Sequence, residues 1–207
     1  MKKIIGIMAI IIIIAIAFCI IYIKTTPTST EDALRFKTEY EALNGEKIEL
    51  TIPANNPMKY INVKEAVEVL KNGSAIMYIG YPSCTPCRTA VPNIIEVAKQ
   101  LNIGEVLYLN IKEYDNSFKV QDGEVVKTRE EAEGYYELLE EAKEITREYI
   151  IREGEEYYEV GETRIYSPTI LKIENGEITK FKTGNSYSSN SENEENELVQ
   201  EYIELMK

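Results

Sequence analysis

The chain contains no histidine. That absence removes Ser-His and Cys-His nucleophile pairs and every histidine-containing metal site. Cysteine is scarce, with only Cys19, Cys84 and Cys87. A structural zinc site wants four ligands, and no second Cys pair exists to complete one within the chain. Positive charge is also short: 23 Lys and Arg face 35 Asp and Glu, for a formal net charge of −12. Phosphate binding wants a basic surface, so nucleic acid is not an expected partner. The acidity concentrates over 124–162 and 192–204 and reads as solvated helix faces rather than metal ligands. No internal repeat is visible. What is present is a chain of 207 residues, 44% hydrophobic, enough for one well-buried domain and an appendage.

The longest apolar run is Ile4 to Ile23, twenty residues without a charge, preceded by Met1-Lys2-Lys3 and followed by Lys24. At helical rise it would span roughly 30 Å, about the hydrocarbon core of a bilayer. The two lysines favour a cytoplasmic N-terminus. The expectation is a single-pass anchor in the cell membrane, residues 4–23 in the lipid, with the remainder on the extracytoplasmic side. A cleaved signal peptide would use Ala15-Ile16-Ala17, but the apolar run continues past it. A lipid-modified Cys19 would want a small residue before it, where Phe18 stands. Cys19 reads as a small apolar residue.

Residues 1–24 are thus an anchor and 25–57 a spacer with an N-terminal extension. Thr30 is a plausible cap for a helix to about Leu43, stopped by Asn44-Gly45. Lys47 to Ile52 could be a strand. An alternation then begins: a strand over Met58–Ile61, a helix over Val63–Lys71 capped by Asn62, and a buried strand over Ser74–Gly80. A helix from Cys84 to about Leu101 and a strand over Val106–Ile111 follow. That order favours parallel neighbours covered by helices. Thr128 to about Ile150 has the period of a long acidic amphipathic helix, with Tyr136, Leu139, Ala142, Ile145 and Tyr149 as its stripe. The strands Thr169–Ile173 and Ile178–Phe181 flank Asn175-Gly176, a hairpin signal, and a helix over Glu194–Met206 closes the chain.

Cys84 and Cys87 stand at a strand-to-helix junction in Tyr81-Pro82-Ser83-Cys84-Thr85-Pro86-Cys87-Arg88. Thiols spaced i, i+3 can close a small disulfide ring. Backbone N–H groups at a helix start stabilise a thiolate, the nucleophile of disulfide exchange. Cys84, first in the helix, would attack; Cys87, one turn in, would be buried and resolve the mixed disulfide. Pro86 restricts the chain where its missing N–H costs little. Arg88 could favour the thiolate or simply point to solvent. Two blander readings compete: a structural disulfide, for which so short a loop is a poor staple, and a redox-inert relic used for binding.

The chain resembles the thioredoxin superfamily at several points. Cys84-Thr85-Pro86-Cys87 resembles the Cys-Gly-Pro-Cys of thioredoxins. Pro92 stands where they carry a helix-kinking proline, and Ser167-Pro168-Thr169 opens the next sheet strand. Gly176 and Gly184 follow Pro168 at the family's glycine offsets. More narrowly, Tyr78-Ile79-Gly80-Tyr81-Pro82-Ser83-Cys84 with Cys87-Arg88 resembles the bacteriocin-transport-accessory-like branch of Gram-positive bacteria. The resemblance implies an α/β thioredoxin-like fold over 58–207, a central mixed sheet flanked by helices. It implies a helical insertion, about 113–165, before the strand that Pro168 opens. It further implies that the Ser167–Pro168 bond is cis, faces the thiols and leaves the Ser167 backbone free to pair with a substrate peptide. Thr85, Pro86 and Tyr81 would tune or line the site. The chain departs from the family at Tyr78, where thioredoxins bury an Asp that assists proton transfer, at Tyr108, where they often carry Lys, and at Tyr81 and Ser83.

The expected function is a membrane-tethered thiol–disulfide oxidoreductase acting on protein or peptide disulfides, needing no cofactor or metal and drawing on a membrane electron-transfer partner. Direction, reductase or oxidase, stays open. The competing expectation is a non-catalytic accessory or binding protein of bacteriocin-like peptide export.

Overall fold

A computed structural model describes residues 30–184 and 192–207. Helix α1, Glu31–Glu41, starts as its cap predicts, with the Thr30 hydroxyl accepting the Ala33 N–H at 3.0 Å. Then come β1 (Met58–Tyr60), α2 (Val63–Asn72), β2 (Ala75–Gly80), α3 (Thr85–Gln100) and β3 (Val106–Asn110). Asn62 and Glu65 form a reciprocal capping box on α2. The segment 47–52, expected as a strand, forms only an isolated bridge, Asn44 with Lys47.

After β3 the chain runs through β4 (Ser117–Gln121), β5 (Glu124–Arg129), α4 (Tyr135–Glu141), β6 (Arg147–Glu153) and β7 (Glu156–Arg164). It ends with β8 (Thr169–Glu174), β9 (Glu177–Thr183) and α5 (Glu192–Met206). Five strands form the central sheet in the order β1-β3-β2-β8-β9. The first three are mutually parallel; β8 and β9 join antiparallel. It is a mixed sheet flanked by helices, compatible with the thioredoxin-like expectation. Asn175 and Gly176 both take positive φ, 54° and 82°, and turn β8 into β9. A Cβ on Gly176 would lie 2.2 Å from the Lys71 carbonyl oxygen, so α2 also requires glycine there.

Side-chain alternation divides the core between the two faces of the sheet. Ile76 and Tyr78 of β2, Val106 and Tyr108 of β3, and Ile170 of β8 pack toward α1, α3 and α5. Met77 and Ile79, Leu107 and Leu109, and Leu171 and Ile173 pack toward α2 and α4. The β2 residues from Ile76 onward are all buried, as expected of a central strand covered on both sides.

The expected fold class needs correction in two places. The insertion is mostly β: the long helix expected over 128–150 is replaced by the end of β5, the two-turn α4, a short 3-10 turn and β6. Its apolar stripe misled because the period was broken locally. Gly134 takes φ +89° at the start of α4, and the antiparallel pairing of β6 with β7 continues past Ile150 and Ile151. Tyr136, assigned to the stripe, is 47% exposed, whereas Leu139, Ala142, Ile145 and Tyr149 are buried from separate elements. The second correction concerns the anchor. The transmembrane helix expected over residues 4–23, and Cys19 within it, lie outside the described residues, and among those no helix is long and apolar enough to cross a membrane.

Candidate active site

Strand β2 ends at Gly80, and a short turn delivers Cys84 to the N-cap of α3. The Cys84 N–H donates to the Tyr81 carbonyl at 3.2 Å, and the Cys87 N–H points at the Cys84 Sγ, also at 3.2 Å. A helix-start N–H directed at sulfur is the local arrangement that favours a thiolate. Thr85 and Pro86 fill the first two helical positions and are exposed. Cys84 and Cys87 lie at disulfide distance, with 5.1 Å between their Cα atoms. Cys84 retains 6% exposure and Cys87 none, so an incoming group meets Cys84 first.

The Ser167–Pro168 peptide bond is cis. The Ser167 carbonyl oxygen lies 3.8 Å from the Cys84 Sγ, bringing together residues 83 positions apart in the chain. The Ser167 hydroxyl is buried with no hydrogen-bond partner. The loop is fixed on both sides of the cis bond. The Pro168 carbonyl accepts the Gly184 N–H at 2.7 Å, and the Thr169 hydroxyl donates to the Tyr166 carbonyl, also at 2.7 Å. The Tyr166 hydroxyl donates to the Glu148 carbonyl at 2.9 Å and accepts the Ile150 N–H at 3.2 Å. Tyr166 thus bridges the register shift in β6 and ties the insertion to the loop that faces Cys84. An open groove of about 600 Å³, lined by Thr146, Arg147, Glu148, Ile150, Thr163 and Tyr166, runs along this hairpin.

Tyr81 is half-buried against the α2–α4 side of the core. Burial raises its hydroxyl pKa, while nearby Arg164 opposes the rise. Tyr78 is fully buried; its hydroxyl sits 3.3 Å from that of Tyr40, and its ring stacks on Tyr108 with centroids 5.5 Å apart. Burial holds all three phenols well above their ordinary pKa, so each stays neutral at physiological pH and none is a ready base.

Two features escaped the sequence reading. The first is the burial of Arg88, a residue left open between favouring the thiolate and pointing to solvent: it is fully buried and donates into the α1–Leu50 segment. Nothing in the local sequence signals that a residue so far upstream supplies its acceptors. The second is a polar hub in the insertion. Asp115, only 2% exposed, pairs with Arg129 and with Arg164, the latter at 2.7 Å. The positions of all three in an acidic stretch gave no hint of convergence. Compared with known proteins, the chain matches no family model and no curated protein sequence.

Proposed function

We propose that the protein is a thioredoxin-like thiol–disulfide oxidoreductase acting on protein or peptide disulfides through Cys84 and Cys87. The observation that carries this reading is the meeting of three features. Cys84 caps α3, Cys87 is buried one turn later at disulfide distance, and the carbonyl before a cis proline lies 3.8 Å from the Cys84 sulfur. A structural staple needs the first two and has no use for the third.

In the reducing direction the Cys84 thiolate attacks one sulfur of a substrate disulfide. The Cys84–substrate S–S bond forms as the substrate bond breaks, and the other substrate sulfur leaves as a thiolate. Cys87 then loses its proton and attacks the Cys84 sulfur. The Cys84–Cys87 bond forms, the second substrate thiolate departs, and two electrons have passed to the substrate. An external dithiol must restore the reduced pair. The reverse sequence installs disulfides. Pro86 resembles the reducing thioredoxins and favours the first direction. Neutral Tyr78 gives Cys87 no carboxylate base from that position, which favours the second reading, a binding protein for exported peptides in which the thiols do not turn over.

Trapping separates the two. Cys87→Ser should accumulate mixed disulfides on Cys84, and Cys84→Ser should lose insulin reduction altogether. Recovery of no mixed disulfide, with equal insulin reduction in both variants and the parent, would sink the oxidoreductase reading.

A further inference from the structure

Arg88 follows the resolving cysteine directly and is fully buried. Its Nε donates to the Ile48 carbonyl at 2.7 Å, and Nη1 to the Tyr40 carbonyl at 2.6 Å and the Pro82 carbonyl at 3.3 Å. Nη2 donates to the Asn44 Oδ1 at 2.8 Å. The acceptors are three carbonyls and one side-chain amide, and none is a carboxylate. A guanidinium stays protonated even when burial pulls its pKa down, as it does here. The site therefore holds a full positive charge whose partners are dipoles only. Burying a charge this way is costly, and an apolar side chain of similar volume would tie α3 to its neighbours at lower cost. Pro82 belongs to the turn that presents Cys84, so the cation lies under the reactive sulfur's own loop.

We propose that Arg88, cradled by Tyr40, Asn44, Ile48 and Pro82, is a positioning residue whose fixed cation stabilises the Cys84 thiolate and so sets the balance between dithiol and disulfide. The inference rests on the oxidoreductase reading for its purpose and makes the N-terminal extension part of the redox site. Other charges near the site are already accounted for. Tyr40, Tyr78 and Tyr108 are neutral. On α1, Glu41 pairs with Lys37, and Glu39 with Arg35 and Tyr60. On the insertion side, Asp115 and Arg164 pair with each other beside Tyr81. The remaining charged groups of the cradle segment, Glu46, Lys47 and Glu49, are exposed and screened by solvent.

Reduction adds two electrons and one proton to the disulfide, giving the Cys84 thiolate and the Cys87 thiol. A cation that favours the thiolate favours the reduced pair, but only at pH values where the thiolate exists. A fixed charge beneath the loop that presents a thiol is worth about tenfold in thiol ionisation. Two measurements test this on the full chain: thiolate absorbance at 240 nm against pH, and equilibrium with reduced and oxidised glutathione. Arg88→Met should raise the Cys84 pKa by about one unit. It should shift the glutathione equilibrium toward the disulfide by a factor approaching ten at alkaline pH, about 30 mV. The factor should fall to one below the parent's thiolate pKa. Arg88→Lys should restore most of the ionisation. Asn44→Asp leaves Arg88 and most of its bonds in place and sets a carboxylate against the guanidinium, so it should act like Arg88→Met even if that variant folds poorly. Unchanged thiolate titration in Arg88→Met and Asn44→Asp, or a glutathione shift independent of pH, overturns the inference. A parent that titrates as described yet reduces no insulin and traps no substrate sinks the functional reading and leaves this one standing.

Discussion

The central sheet and the two hairpins inserted between β3 and β8 are built on opposite principles. Strands β2, β3 and β8 bury apolar side chains on both faces, and the helices that cover them bury one apolar stripe each against the sheet. The hairpins β4–β5 and β6–β7 bury almost nothing; β5 and β7 alternate between exposed and half-exposed positions. Around the hub, the insertion is organised by charge. Asp115 accepts from Arg129 and Arg164, Arg129 also donates to the Lys112 carbonyl at 2.7 Å, and Arg164 lies 4.1 Å over the Tyr149 ring. Non-directional burial stabilises the first region, whereas directional ion pairs specify the geometry of the second and add less net stability. The dithiol site lies where the two meet. Cys84 and Cys87 come from the sheet unit, and the Ser167–Pro168 loop connects β7 to β8.

The contrast predicts different consequences for comparable damage. Leu171, fully buried in β8, should cost about 3 kcal/mol as Leu171→Ala. The loss should be global, lowering hydrogen-exchange protection in the sheet and the insertion alike. Asp115→Asn should cost about 2 kcal/mol, less than a fully buried pair because Arg129 is 40% exposed at its side chain. That loss should be local, reducing protection of β4–β7 while β2, β3 and β8 keep theirs. If both substitutions lowered every amide equally, the insertion and the sheet would be one cooperative unit and the contrast would fail. The same Asp115→Asn variant should react more slowly with protein disulfides, through the loop that Tyr166 ties to β6, while keeping its thiolate titration.

The same contrast explains what was legible in advance. Period-two alternation and helical stripes are local signatures of burial, so β1, α2, β2, α3, β3, the β8–β9 hairpin and α5 could be read from residues alone. The positions of Cys84 and Cys87 at a helix start followed from the apolar run before them and the stripe after. The insertion was misread because a helical spacing of Leu139, Ala142, Ile145 and Tyr149 arises there from three short elements, α4, a 3-10 turn and β6, that bury these residues separately. Asp122-Gly123 was the overlooked clue: both residues take positive φ, 55° and 81°, and turn β4 into β5 as Asn175-Gly176 turns β8 into β9. The partners of Arg88 and Asp115 were beyond reach for a different reason. Their partners are set by tertiary approach, and a charged residue in a polar stretch has the same local pattern whether it ends in solvent or under a helix.

The smallest expected effect lies in the segment 42–52 after α1, which helps cradle Arg88 and lies outside both the strands and the inserted hairpins. Glu41 bonds Lys37 and accepts the Ile52 N–H at 2.7 Å, closing the segment that carries Asn44 and Ile48. Its carboxyl pKa is lowered, first by the bond from Lys37 and then by that from Ile52. A depressed folded-state pKa contributes stability above the unfolded carboxylate value and loses it as pH falls through the folded one. Mild acid should therefore loosen residues 42–52 while the sheet amides stay protected, and Glu41→Gln should reproduce that loosening at neutral pH. Because Asn44 and Ile48 hold the guanidinium, the variant should also blur the Cys84 titration slightly. A segment that stays as protected in Glu41→Gln as in the parent at neutral pH would show that α1 packing, through Phe36 and Tyr40, holds the extension without this carboxylate.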